Sequence, residues 1–213
     1  MGFTRISFAP RLTGAAALAA LVASLGASAA FAHSTQAPIP PCPAQTLVQP
    51  FLPWHDQGSY FLAPGGAFES TPAGWTLAGG AGIGPGNETS HVNSASDANS
   101  LGLPTNSSAT SPKICVTIHS PNIRLFALNG GSSRSMLQVS LNYTDKRGLP
   151  RSAYIAVLRG ASAWALSPQI LFLRYISPVV GGQGQTWVSF TFKPTFGGGW
   201  QIDDFYVDPL KSQ

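Results

Sequence analysis

The sequence predicts an all-β fold, a two-sheet antiparallel β-sandwich or jelly roll. Three observations carry that expectation. Turn formers are abundant, with 23 Gly and 18 Pro in 213 residues, while charged residues make up only 9 %. Several short runs alternate apolar and polar residues with period two, the mark of a strand buried on one face. No amphipathic helical pattern exceeds two turns, so many short strands separated by turns must close on one another.

The chain opens as an export signal. Arg5 and Arg11 precede an apolar run at residues 14–25, and Ala30-Phe31-Ala32 fits the small-x-small rule for cleavage. The run is shorter than the roughly 20 residues needed to span a bilayer. Residues 1–32 are therefore expected to be removed, leaving a secreted chain with no later run apolar enough for a membrane span. Loss of Arg5 and Arg11 lowers the net charge from +4 to +2. The remaining basic residues form no stripe interleaved with aromatics, which excludes nucleic-acid binding.

Cys42 and Cys115 are the only cysteines. In an exported chain an even pair predicts a disulfide. Closing so long a loop is worth roughly 4 kcal/mol in the chain-entropy model.

Residues 33–49 read as an extended N-terminal lead, and residues 50–213 as one domain. Pro50-Phe51-Leu52-Pro53-Trp54 is an arm whose prolines argue against helix and for an edge position. Short strands are expected at 60–62, 67–69 and 75–77, the last two separated by a Thr-Pro-Ala-Gly turn. Residues 79–99 are rich in Gly, Asn and Ser and read as irregular, with extended structure resuming at 100–103. Strands follow at 113–118 and 123–128. In 136–143, Leu137, Val139, Leu141 and Tyr143 share one face, and Gln138, Ser140 and Asn142 the other. Its hairpin partner is 154–158, after a Lys-Arg-Gly turn. The apolar run 169–175 reads as a strand on its flanking breaks. In 185–192, Val188, Phe190 and Phe192 oppose Trp187, Ser189 and Thr191. The last strand follows Gly197-Gly198-Gly199 and carries Ile202-Asp203-Asp204-Phe205-Tyr206-Val207.

Gly65-Gly66-Ala67-Phe68-Glu69-Ser70 with Gly74-Trp75, ended by Ile202-Asp203-Asp204-Phe205, resembles the galactose-binding-like jelly rolls. These include carbohydrate-binding modules that open on "NGGFE…GW" and close on "IDDV". The order "PFxPW", "GGxFE", "SLxLPxxSSATSP", "IDDxYVDP" is also similar to a group of uncharacterised secreted bacterial proteins. The first resemblance implies a structural calcium held by Glu69 and by Asp203 or Asp204, with the opening and closing strands side by side. Calcium takes several hard oxygens, so two carboxylates meeting there suit it. If Phe205 and Val207 face the core, period two turns Asp203 inward and Asp204 outward. The competing reading is that these carboxylates accept backbone, Trp or Tyr hydrogen bonds at strand ends. Pro64 stands where the family has Asn.

The same resemblance implies sugar stacking on exposed aromatics. Trp187 is the first candidate, on the polar side of its strand, with Trp54 and Trp164 on irregular segments; each competes with an ordinary core role. Trp75 and Trp200, beside motif glycines, read as core. Catalysis finds little support. Gly160-Ala161-Ser162-Ala163-Trp164 lacks the final glycine of a nucleophile elbow. His55, His91 and His119 lack zinc-site spacing. Glu69 and Glu88 make a poor glycosidase pair, because one lies in the fold motif and the other in a Gly-Pro-Gly-Asn-Glu turn. The glycines of 79–86 do not form a phosphate cradle. Three function classes remain: a non-catalytic module for a cell-wall or environmental glycan, a structural or protein-interaction domain of the cell envelope, and an enzyme of unfamiliar type.

Overall fold

The computed structural model describes residues 41–119, 122–160, 162–177 and 184–208. The expected signal peptide (1–32) and the first part of the lead lie outside these residues. Among these residues there are thirteen strands: β1 (Phe61–Leu62), β2 (Thr76–Ala78), β3 (Gly82–Pro85), β4 (Asn99–Leu103), β5 (Ser108–Thr110), β6 (Ile114–Thr117), β7 (Asn122–Asn129), β8 (Met136–Thr144), β9 (Pro150–Leu158), β10 (Ala165–Leu166), β11 (Ile170–Leu171), β12 (Gln185–Thr195) and β13 (Trp200–Asp208). A short α-helix, α1 (Leu173–Ile176), follows β11. None of the helices among the described residues is long and apolar enough to cross a membrane.

The strands form two antiparallel sheets, as expected. Sheet A runs β3-β4-β13-β7-β10, with β1 also on β13 and β11 also on β7. Sheet B runs β2-β5-β12-β8-β9, with β6 also on β12. The inner faces pack through Leu137, Val139 and Leu141 of β8, Val188, Phe190 and Phe192 of β12, and Trp200, Ile202, Phe205 and Val207 of β13, all buried. Phe205 meets Phe190 and Phe192 edge to face, with centroids 5.5 and 5.3 Å apart, and so joins the two sheets. Trp200 is core, as expected, and its indole N–H donates to Ser135 Oγ at 2.8 Å. Cys42 and Cys115 are bonded, with Cα atoms 5.4 Å apart, pinning the lead beside β6 and β12.

The outer face of sheet A is covered as well. Phe51 sits 4.9 Å from Tyr60, 5.4 Å from Tyr206 and 6.3 Å from Phe126 between ring centroids, forming a second small core. Beneath it Arg124 of β7 pairs with Asp56 at 2.7 Å, and Tyr60 donates to the same carboxylate at 2.7 Å.

Several elements differ from expectation. Residues 67–69 form a turn rather than a strand, because Phe68 takes a left-handed φ of 53°. The arm contains a 3₁₀ turn at Leu52–Trp54, with Pro53 in its first positions where its missing N–H costs nothing, and it lies across a sheet face rather than at an edge. The run 169–175 divides into β11 and α1. Strand β3 arises inside the segment read as irregular, pairing Gly82, Ile83, Gly84 and Pro85 with β4. Its glycines erase the side-chain alternation on which a strand is recognised.

Candidate functional site

The opening and closing motifs do meet. Ala63 N–H donates to Phe205 O at 2.9 Å, and Phe205 N–H donates to Gly66 O at 2.9 Å. The contact is a turn hooked onto a strand, and it needs Gly66: a Cβ there would stand 2.7 Å from Phe205 O. Strand β13 lies inside sheet A, between β7 and β4, rather than at its margin.

The hook coincides with a β-bulge. Asp203 pairs with Phe126, whereas Tyr206 pairs with Arg124, so one extra residue is accommodated between them. Asp204 takes it up with φ 47°. The parity of the strand therefore changes: Ile202 faces the main core before the bulge, and Phe205 and Val207 face it after. Asp203 consequently does not share the face of Phe205. It lies with Phe126 on the opposite side, and Asp204, expected to turn outward, is 1 % exposed.

Both carboxylates are roofed by residues 86–98. Asp203 Oδ2 accepts the Glu88 N–H at 3.0 Å and Oδ1 accepts the Asp204 N–H at 2.9 Å. Asp204 Oδ2 accepts the Asn93 N–H at 3.1 Å, while its Oδ1 is buried with no partner. Glu88 is fully buried, and its carboxylate accepts the N–H groups of Ser90 and Val92. Asp97, also buried, accepts from the Asn93 side chain at 2.8 Å. Burial pushes the Asp203 carboxyl up to about 7, and the charges of Glu88 and Glu69 add to that rise against its two backbone donors. Burial and the neighbouring Asp203 push Asp204 up to about 8. Glu69 is half-exposed and accepts the N–H groups of Ala98 and Asn99, each at 3.0 Å, which ties the motif turn to β4. As they stand, no three acidic, His or Cys side chains among the described residues are close enough to enclose a metal ion. The orphaned Asp204 oxygen, with Asp203 and Glu88 beside it, nevertheless leaves buried carboxyl groups that hold a proton at low pH and that a hard cation would satisfy once the proton is lost. The sequence presents Glu88 only as half of a poor glycosidase pair and does not single out Asp97; their one signal for this site is that they are two of only eight acids in the chain.

The outer face of sheet B has a different character. One cross-strand row runs Thr76, Thr110, Thr191, Ser140, Tyr154 through β2, β5, β12, β8 and β9. The next is Ser189, Asn142, Ser152, and on the other side Lys193, Gln138, Val157. Thr110 and Thr191 hydroxyls are 2.8 Å apart, and Asn142 donates to Thr191 Oγ1 at 2.8 Å. Tyr154 is 58 % exposed at the β9 margin. Trp187, half-buried, lies two residues beyond Ser189 and lines a groove of 410 Å³ with Lys113, Thr46 and Pro43.

The three tryptophans do not form one platform. Trp164 packs against the small core on the far side, and Trp54 sits edge-on to Phe126 at 5.4 Å, beside a 560 Å³ recess lined by Asp56, Arg124 and Gln169. Trp187 alone borders the hydroxyl rows. At the free margin of β9 a 760 Å³ groove is lined by apolar side chains including Val157, Leu171 and Leu173.

No family model and no curated protein matches this sequence. Among solved structures the chain is similar to "Xylan-Binding Domain from CBM 22, formally x6b domain", with TM-score 0.47 and 18 % identity over 74 % of this chain and 99 % of that one. It is also similar to the CBM22-1 xylan-binding domain of Paenibacillus barcinonensis Xyn10C, with TM-score 0.47 and 16 % identity over 69 % and 93 %. The structure of TmCBM61 in complex with β-1,4-galactotriose matches with TM-score 0.40 and 14 % identity over 67 % and 94 %. The similarity to these carbohydrate-binding modules is one of sandwich architecture.

Proposed function

We propose that this chain is an exported, non-catalytic module that binds a polysaccharide on the outer face of sheet B. The row of hydroxyls from Thr76 to Tyr154, continued by Asn142 and Ser189 and bordered by Trp187, carries the reading. Sugar hydroxyls both donate and accept, and closely spaced Ser, Thr and Asn groups can answer them in either role. The half-buried Trp187 ring offers an apolar surface for the C–H side of a pyranose, at little entropic cost because only two side-chain torsions need be ordered. Export draws support from the N-terminal signal pattern and from the Cys42–Cys115 bond, which persists in oxidising compartments.

A structural calcium is part of this proposal, at Asp203 and Asp204 with Glu88 adjacent, while Glu69, the other expected ligand, accepts the N–H groups of Ala98 and Asn99. The unpartnered Asp204 Oδ1 supports it. The cation would neutralise the bulge of β13 and the roof of residues 86–98, remote in function from the glycan face.

The test is affinity electrophoresis and calorimetry against a panel of soluble polysaccharides. Trp187→Ala and Tyr154→Ala are each expected to weaken binding at least tenfold without lowering the melting temperature. Retained binding in both variants, or no binding by the unaltered protein, would overturn the assignment of this face.

A further inference from the structure

Charge is distributed unevenly over the sandwich. All eight carboxylates of the sequence belong to the described residues. Seven are held on the side of sheet A. Asp56 pairs with Arg124 of β7, and Glu69 binds the start of β4. Glu88 and Asp97 sit over Asp203 and Asp204, and Asp208 accepts from Asn122 at 2.9 Å. The eighth, Asp145, is folded into the β8–β9 turn, where it accepts the N–H groups of Arg147 and Leu149 and pairs with Arg151 at 2.8 Å.

The outer face of sheet B therefore has no carboxylate. It has two ammonium groups instead. Lys193 projects from the middle strand opposite Gln138, and Lys113 lines the groove beside Trp187. Both are exposed, and the ion pairs among the described residues use Arg124 and Arg151, not these lysines. Trp187 and Lys193 are six residues apart on the same side of β12, which at about 3.3 Å per residue separates them by roughly 20 Å. That span suits a chain of several sugars rather than a single one.

A neutral glycan gains from carboxylate acceptors, because its many hydroxyls must donate somewhere. Here the strongest groups are donors, and an N⁺–H···O⁻ bond is roughly twice as strong as its neutral counterpart. Like charges that would repel an anion are absent from the face, and this selects as much as attraction does. We propose that the face takes an acidic polysaccharide, one whose sugars carry carboxylates, with Trp187 stacking on the chain and Lys113 and Lys193 meeting its uronate groups. This rests on the glycan-binding reading above and specifies the ligand class.

The experiment measures binding of the purified protein to polygalacturonate, alginate and glucuronoxylan, each beside its carboxyl-reduced form, with poly-L-glutamate as a polyanion without sugars. At least one acidic polymer is expected to bind tenfold or more tightly than its reduced form, with affinity falling as salt rises. Lys113→Gln with Lys193→Gln should erase that preference while the melting temperature holds, and the single Lys193→Gln should reduce it. Equal binding of acidic and reduced forms overturns the acidic class and leaves the glycan reading intact. Equal binding of poly-L-glutamate also overturns it, since charge alone would then suffice. Failure to bind any polysaccharide, acidic or neutral, removes both readings.

Discussion

Asp203 and Phe126 stand directly opposite each other across β13 and β7, the last regular pair before the strand bulges. Their shared side of the sheet explains why a carboxylate in an apolar strand is not in the main core. Phe126 belongs to the small aromatic core under Phe51, and Asp203 occupies the adjoining ground beneath residues 86–98. The bulge then returns Phe205 to the inner face. One extra residue thus serves both a packing need and a polar one.

The raised pKa values of Asp203 and Asp204 predict a pH dependence opposite to ordinary acid unfolding. The unfolded carboxyl titrates near 3.8, the folded Asp203 and Asp204 near 7 and 8. Between those values the folded state holds protons that the unfolded state has released, so stability falls as pH rises. Urea melts of calcium-free protein should show this decline between about pH 4 and pH 8. Asp204→Asn should flatten it.

Calcium should reverse the decline at its upper end. A ligand at a hundredfold excess over its Kd stabilises by about 2.7 kcal/mol, equivalent to a rise in Tm on the order of 5 to 10 °C for a domain of this size. Thermal melts at pH 8 with and without millimolar calcium check this. The rise should vanish in Asp203→Asn with Asp204→Asn.

The Arg124–Asp56 pair is buried, with side chains 12 % and 8 % exposed. Burial opposes the charge of Asp56, but donors from Tyr60, Gly58, Gln169 and Arg124 prevail and hold its carboxyl below the usual range. Arg124→Met leaves that buried charge with its neutral donors but no ion-pair partner, and removes the cation lying 5.1 Å over Phe51. The expected cost is about 3 kcal/mol, read from denaturant unfolding.

Gly198 faces the backbone of the turn after β4. A Cβ there would lie 2.0 Å from Thr105 N and 2.5 Å from Pro104 C, and backbone cannot swing aside as a side chain can. Gly198→Ala should cost about 2 to 3 kcal/mol, as overpacking does, and lower the melting temperature accordingly.

Separation of Cys42 from Cys115 tests the lead. Their bond joins positions 73 residues apart. Cys42→Ser with Cys115→Ser should lose roughly 4 kcal/mol by the chain-entropy model. It should also weaken binding at Trp187, because Pro43 and Thr46 form one wall of that groove.

The sequence by itself determined the strands with a clean period of two, β8 and β12, and the outward side of each. It also determined the all-β class, the pairing of its two cysteines, and the proximity of the Gly65–Gly66 and Asp203–Asp204 motifs. Alternation and motif order are local, and a single strand displays them in full. Only the tertiary structure decided which polar positions become neighbours. Thr76, Thr110, Thr191, Ser140 and Tyr154 come from five separate strands and meet through backbone pairing that no one strand encodes. The bulge escaped period-two reasoning for the same reason: it coincides with the hook of Ala63 and Gly66 onto Phe205, a partner well over a hundred residues away in the chain. Once the bulge forms, Asp204 is buried, and Glu88 and Asp97 join it from a segment whose glycines, serines and asparagines gave it no regular pattern to read.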